Sequence, residues 1–154
     1  MSDQDTQTKR VRSLAECEIA ELVRDLAGPV RLASISANGF PLISTLWFMY
    51  EKGLFWCITQ QRTLLRRNLA ADPRCAFEIG LDGQRFKLLR GQGVATLDLG
   101  EGGRVTELMI NRYIKDTKGP IAETMRAQIP TEYAIAIKPR WVRGQGAGST
   151  WKKR

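Results

Sequence analysis

After residue 30 the chain alternates short runs rich in β-branched and aromatic residues with brief polar breaks, whereas its first apolar positions recur at helical spacing. Leu14, Ile19, Leu22, Val23 and Leu26 put one apolar stripe on a helix that Gly28-Pro29 stops, and Ser13 followed by Glu16 predicts a capping box at its start. Residues 30–36 and 41–50 read as two strands around Asn38-Gly39, a dipeptide that accepts the positive φ angles of a tight hairpin. Glu51-Lys52-Gly53 turns the chain into a third strand over 54–59. Residues 63–71 carry Leu64, Leu65 and Leu69 among basic residues and predict a two-turn helix. Asp72-Pro73 ends it, because the residue before proline disfavours helix. Strands follow over 74–80 and 86–99, separated by Asp82-Gly83, and Gly91 with Gly93 marks a bulge or bend in the longer one. Helices are predicted over 107–113 and 121–128, across Gly119-Pro120. A last strand, 133–137, alternates Tyr133, Ile135 and Ile137 with two alanines.

Six strands with helices inserted after the third and the fifth predict a mainly β domain, a small closed or split barrel, and leave no run of alternating strands and helices for a doubly wound sheet. A length of 154 residues with 43% hydrophobic content suits one core and one domain. The expected organisation is a tail over 1–12, a domain over 13–143 and a basic tail over 144–154.

The sequence contains no histidine, which removes a Ser-His-Asp triad, a Cys-His pair, histidine-ligated zinc and histidine-ligated haem together. Chemistry must then come from a cofactor or from other side chains. Cys17, Cys57 and Cys75 are odd in number, show no C-x-x-C spacing and fall within apolar patterns, so buried thiols in a reducing compartment are expected. No run approaches the ~20 apolar residues of a membrane span, and the polar first ten residues do not resemble a signal peptide, so the cytoplasm is the expected location. The net charge of +8 fits nucleic acid, an anionic ligand or simple solubility. Lys9, Arg10, Arg12 and Lys152 to Arg154 belong to the expected tails, and no strand interleaves exposed aromatics with basic residues as a base-stacking platform would, so nucleic acid is not an expected partner.

One segment concentrates anion-binding chemistry. Thr59 and Thr63 offer hydroxyls, Arg62, Arg66 and Arg67 offer cations, and the amides opening the helix near Thr63 offer donors together with the favourable end of the helix dipole. The same residues equally describe a solvated basic helix surface. Trp47, Phe48, Phe55 and Trp56 alternate as strand residues and read as a set as ordinary core.

Three stretches bear on the choice: LASISANGFPLISTLWFMYEKGLFWCIT, QQRTLLRRNLAADPRCAFEIG and FKLLRGQGVATL. They contain a G-x-P turn at Gly39 to Pro41, a strand ending in Thr59, then Asn68-Leu69 and Asp72-Pro73-Arg74 after a short basic helix. In that order and spacing the chain resembles the pyridoxamine 5'-phosphate oxidase-like family of FMN-binding split barrels, over residues 29–97 and more loosely in the C-terminal strand. The resemblance implies a six-stranded split barrel that binds FMN between the two chains of a homodimer, with no membrane association. It implies that Ser44, Thr45, Leu46 and Trp47 lie along the flavin ring, that Thr59, Arg62, Thr63, Arg66 and Arg67 hold the phosphate, and that Ile58 and Asn68 belong to the same cofactor site. It further implies an oxidoreductase that moves electrons between a nicotinamide or other donor and a small molecule. The deazaflavin F420 is the alternative cofactor, and non-enzymatic cofactor or haem handling the alternative role. Two departures are visible. Thr63-Leu64-Leu65 stands where many members have Ser-Arg-Lys, and the C-terminal Arg-x-His of true pyridoxamine phosphate oxidases has no counterpart, so vitamin B6 oxidation is not expected.

Overall fold

The computed structural model describes residues 12–24, 26, 28–80 and 88–145. Within them the order is α1 (Glu16–Val23), β1 (Val30–Ile35), β2 (Pro41–Leu46), β3 (Met49–Glu51), β4 (Leu54–Gln60), α2 (Leu64–Ala71), β5 (Arg74–Gly80) and β6 (Leu88–Asp98). Then come α3 (Gly102–Tyr113), α4 (Pro120–Gln128), a 3-10 turn at Ile129–Thr131 and β7 (Glu132–Gln145). The expected tail as far as residue 11, the Asp82-Gly83 turn with Phe86, and the basic end including Trp151 lie outside the described residues.

All strand pairs are antiparallel, and the strand order is β2-β1-β5-β6-β7-β4-β3. β2 and β3 therefore stand at opposite ends of the sheet although only Trp47 and Phe48 separate them in sequence. Leu46 and Met49, three Cα steps apart, are held within ~11 Å of each other, whereas the ends of a flat sheet of this order would be ~29 Å apart at the usual strand spacing. The sheet must curl until its edges meet, and the result is a split barrel closed through the covalent chain. The expected count of six strands is corrected to seven for this reason: the second predicted strand, 41–50, is interrupted at Trp47-Phe48 and serves both edges.

Gly91 and Gly93 lie where β6 runs closest to its neighbours' atoms. A Cβ on Gly91 would come within 2.5 Å of Phe77 Cζ and of the Trp141 carbonyl, and one on Gly93 within 2.8 Å of Ile137 Cγ2. The β6–β7 register slips between Gln92 and Gly93, giving the predicted bulge. The barrel interior is filled by Leu32, Phe55, Phe77, Ile79, Leu89 and Ile137, with Leu65 and Leu69 of α2 closing one end. A smaller cluster, Val105, Met109 and Ala134, packs α3 onto the outside of β4 and β7.

Several local expectations are revised. The Asn38-Gly39 hairpin is a longer loop, in which Ser36 N–H donates to the Phe40 carbonyl (2.9 Å) and only Gly39 takes a positive φ, at 83°. The tight turn of paired positive φ values is instead Lys52-Gly53, at 52° and 77°. Helix α1 begins two residues later than the capping box implied: Glu18, not Glu16, accepts the Ala15 N–H at 2.8 Å. Ser13 is occupied elsewhere, its hydroxyl accepting the Val142 N–H at 3.0 Å. Cys57 and Cys75 are buried as expected, but Cys17 is exposed, because α1 turns Ile19 and Val23 inward. The final strand runs to Gln145, well past residue 137, because β6 pairs with it along its whole length. Among the described residues no helix is long and apolar enough to cross a membrane.

Candidate functional site

β4 delivers the chain into a tight corner at residues 60–63 from which α2 starts. Thr63 is the N-cap: its hydroxyl accepts the Arg66 N–H at 3.1 Å and donates to the Gln60 carbonyl at 3.0 Å. With the only Thr63 proton so used, Thr59 is the donor in the 2.6 Å contact between the two hydroxyls. Thr59 is buried, and both protons are spent inside the corner. An anion arriving here therefore finds its donors among the arginines.

Arg62, Arg66 and Arg67 line, with Gln61, a concavity of about 430 Å³. Arg66 is the most fixed of the three, its Nε–H donating to the Gln61 carbonyl at 2.7 Å and its guanidinium lying 5.7 Å from the centre of the Tyr133 ring. Arg62 and Arg67 are exposed. Elsewhere Arg12, Arg74, Arg104 and Arg126 each hold a carboxylate, whereas none of these three has an ion-pair partner among the described residues. Three cations without a carboxylate partner among the described residues thus line one concave surface.

The corner is braced from behind. Gln60 Oε1 accepts the Thr131 hydroxyl at 2.6 Å, Gln61 N–H donates to the Thr131 carbonyl at 2.9 Å, and Gln60 Nε2 donates to the Glu132 carboxylate. Glu132 is 4% exposed, and burial raises its pKa above the ordinary glutamate range, with the Gln60 donor opposing that shift. Asn68 is also buried, and its amide donates to Ser34 (3.2 Å) and Ser36 (3.4 Å), tying α2 to β1. Ile58 faces the other way, against the α3 cluster.

The predicted ring-facing residues lie on β2. Thr45 is exposed, Ser44 and Leu46 are half-buried, and the strand pairs only with β1, so its far edge has no strand partner. Trp47 sits at the break between the sheet edges, 37% exposed and stacked on Tyr113 at 4.8 Å between centroids and 4° between planes. The Tyr113 hydroxyl donates to the Phe48 carbonyl at 2.9 Å and accepts the Phe48 N–H at 3.2 Å. It replaces both ladder bonds that Phe48 gives up. Tyr113 and Gln60 are functional supports that the sequence reading missed. Tyr113 gave no signal beyond ending a predicted helix, and Gln60 none beyond following a strand. Cys57 and Cys75 are inert thiols: burial pushes both up, Cys75 to about 11.

By sequence the chain matches no family model and no curated protein. By structure it is similar to many solved proteins. One is an F420 reductase, with a TM-score of 0.69 and 17% identity over 80% of this chain and 94% of the other. Another is a candidate pyridoxamine 5'-phosphate oxidase from Listeria innocua (TM-score 0.65, 17% identity, 86% and 98% covered). A third is HutZ, the haem storage protein from Vibrio cholerae (TM-score 0.63, 21% identity, 83% and 92% covered). The chain has the split-barrel fold of the pyridoxamine 5'-phosphate oxidase-like proteins. Proteins of that fold include ones that act with flavin-type cofactors and one that stores haem, so the shared barrel fixes no single activity.

Proposed function

We propose that this protein is a cytoplasmic, homodimeric flavoprotein that binds FMN at the α2 corner and along the open edge of β2. The observation that carries the reading is the cluster of Arg62, Arg66 and Arg67, three cations without carboxylate partners around one concavity. A phosphate supplies the charge they lack, and their guanidiniums supply the donors it needs. The unpaired edge at Ser44 to Leu46 offers backbone hydrogen-bonding groups beside the apolar wall of Trp47, which suits a flat heteroaromatic ring. Bound there, the cofactor supplies electron transfer between a nicotinamide or other donor and a small acceptor, while the chain supplies position and electrostatics. The lack of an Arg-x-His sequence argues against vitamin B6 phosphates as the substrate that is oxidised.

A second reading within the same site is F420. A phosphomonoester carries about two negative charges, and three unpaired guanidiniums leave cation to spare for an acidic tail. Haem handling is less well supported, since Cys57 and Cys75 are in the barrel core and the Tyr113 hydroxyl is committed to Phe48.

Binding titrations test the site. Each of Arg66 and Arg67, if bonded to phosphate, contributes about 1.5 to 3 kcal/mol, so truncating the more important one to alanine weakens FMN by roughly ten- to a hundredfold. Riboflavin, which lacks the phosphate, is expected to bind both variants as it binds the wild type. Unchanged FMN affinity in both variants returns α2 to a solvated basic surface, and equal losses for both ligands assign the arginines to packing. The visible spectrum of the purified protein separates FMN from F420.

A further inference from the structure

The end of α1 is held by a residue that lies far away in the sequence. The helix has no basic residue in its own last turn, and Arg24, which follows Val23, keeps right-handed helical angles. The last carbonyls of a helix find no partner within it. Here they are met from α3: Arg112 Nη1–H donates to the Arg24 carbonyl at 3.1 Å, and Nη2–H donates to the Val23 carbonyl at 2.8 Å and to that of Leu26. One guanidinium thus gathers three carbonyls at a helix end whose dipole favours a cation.

The same guanidinium lies 5.6 Å from the centre of the Phe48 ring and 5.6 Å from that of Tyr113, within reach of a cation–π contact. Both rings belong to the break between the sheet edges, where the Tyr113 hydroxyl takes over the ladder bonds of Phe48 and the Tyr113 ring stacks flat on Trp47. Arg112 and Tyr113 are the last two residues of α3. Helix ends fray, so a residue at this position orients a neighbour only if something outside the helix holds it. The bonds from Arg112 to α1 do so. A parallel stack covers one face of the Trp47 indole, which leaves its other face and its edge as the exposed part.

We infer that Arg112 is a positioning residue: by fastening the end of α3 to the end of α1, it fixes the plane in which Tyr113 presents Trp47 to a ligand ring. That the ring is a flavin rests on the proposed function, whereas the fastening rests on the geometry at the seam. Lysine at this position would keep the charge but has no planar fork to span carbonyls and rings together.

The test uses the full chain and riboflavin, which has the ring without the phosphate, so that the α2 arginines do not enter. Trp47→Leu first identifies, by difference from wild type, the near-ultraviolet circular dichroism band of the stack. Arg112→Lys is expected to lose most of that band with its far-ultraviolet spectrum unchanged, and to weaken riboflavin roughly two- to tenfold, the worth of one aromatic contact. In the Trp47→Leu background the same substitution is expected to change riboflavin affinity no further, since a residue that acts through Trp47 has nothing left to act on. A band that survives intact in folded Arg112→Lys overturns the placing of Trp47. Losses that add in the double variant make Arg112 a support of the fold as a whole, and the inference fails. If Arg112→Lys does not fold, the wild type decides: saturating riboflavin is expected to move the Arg112 Nε–H resonance, and an unmoved resonance overturns the coupling. A wild type that binds neither riboflavin nor FMN fails the proposed function instead, and the circular dichroism band still reads whether Arg112 holds Trp47.

Discussion

At the corner from β4 into α2, Thr63 closes its bonds on Gln60 and Arg66, each three residues away, whereas at the break from β2 into β3 the closing bonds come from Tyr113, 65 residues further along the chain. Both places end a strand. The first is stabilised by local chemistry that forms as soon as the corner forms. The second has no local device at all and depends on α3 having packed. One polar residue therefore caps the corner, with Thr131 and Glu132 bracing it from behind, whereas one distant phenol alone closes the seam's backbone bonds.

The largest effect is expected at the seam. Tyr113→Ala removes two hydrogen bonds and the stack on Trp47, a loss of roughly 3 kcal/mol, read by urea unfolding. Tyr113→Phe keeps the ring, leaves the Phe48 amide and carbonyl without their partner, and costs about 1 to 3 kcal/mol. If the phenylalanine variant is as stable as wild type, the hydroxyl is not what holds the break and the contrast fails. At the corner, Thr63→Ala removes the N-cap and costs about 1 kcal/mol, while Thr63→Ser retains it. Equal losses in the two would show that the methyl group, not the hydroxyl, matters.

The smallest effect concerns the brace behind the corner. The Glu132 carboxyl has a folded-state pKa raised by burial, so its protonated form favours the fold. Its contribution is fully present below the ordinary glutamate pKa and is lost as pH rises through the raised value. Glu132→Gln keeps an acceptor for Gln60 but does not ionise. Its melting temperature is expected to exceed that of wild type more at pH 8 than at pH 4, and a difference independent of pH would remove the buried charge as the cause.

The same contrast explains what the sequence disclosed. Helix α2 was legible to within a residue at its start, because Thr63 caps it, Leu65 and Leu69 point inward and Asp72-Pro73 ends it. The barrel was legible from strand spacing, and Gly91 with Gly93 told where it bends, since a side chain there would strike Phe77 or Ile137. The interruption at Trp47-Phe48 was not legible, because these residues have ordinary strand character and the strand breaks only to meet two sheet edges. Among the predicted site residues, the three arginines converge on one concavity, while Asn68 and Ile58 face β1 and α3. Their sequence neighbourhood with Arg67 and Thr59 concealed opposite orientations, which helix and strand periodicity alone could have anticipated only with the packing partners known.

The position of β7 in the strand order has a consequence for how the molecule is made. β7 lies between β6 and β4, so without it the sheet is two separate pieces, a four-stranded β2-β1-β5-β6 unit and a β3–β4 hairpin. Strand β4 meets its second partner only when residues 132–137 have been synthesised, more than seventy positions after β4 itself. Such long-range pairing makes for slow folding and leaves strand edges open meanwhile. The nascent protein thus carries an unpaired β4 edge, with Phe55, Cys57 and Ile58, until β7 follows. Chaperones that shield exposed strand edges would have their longest task here, and the barrel becomes a single body only when β7 joins β6 to β4.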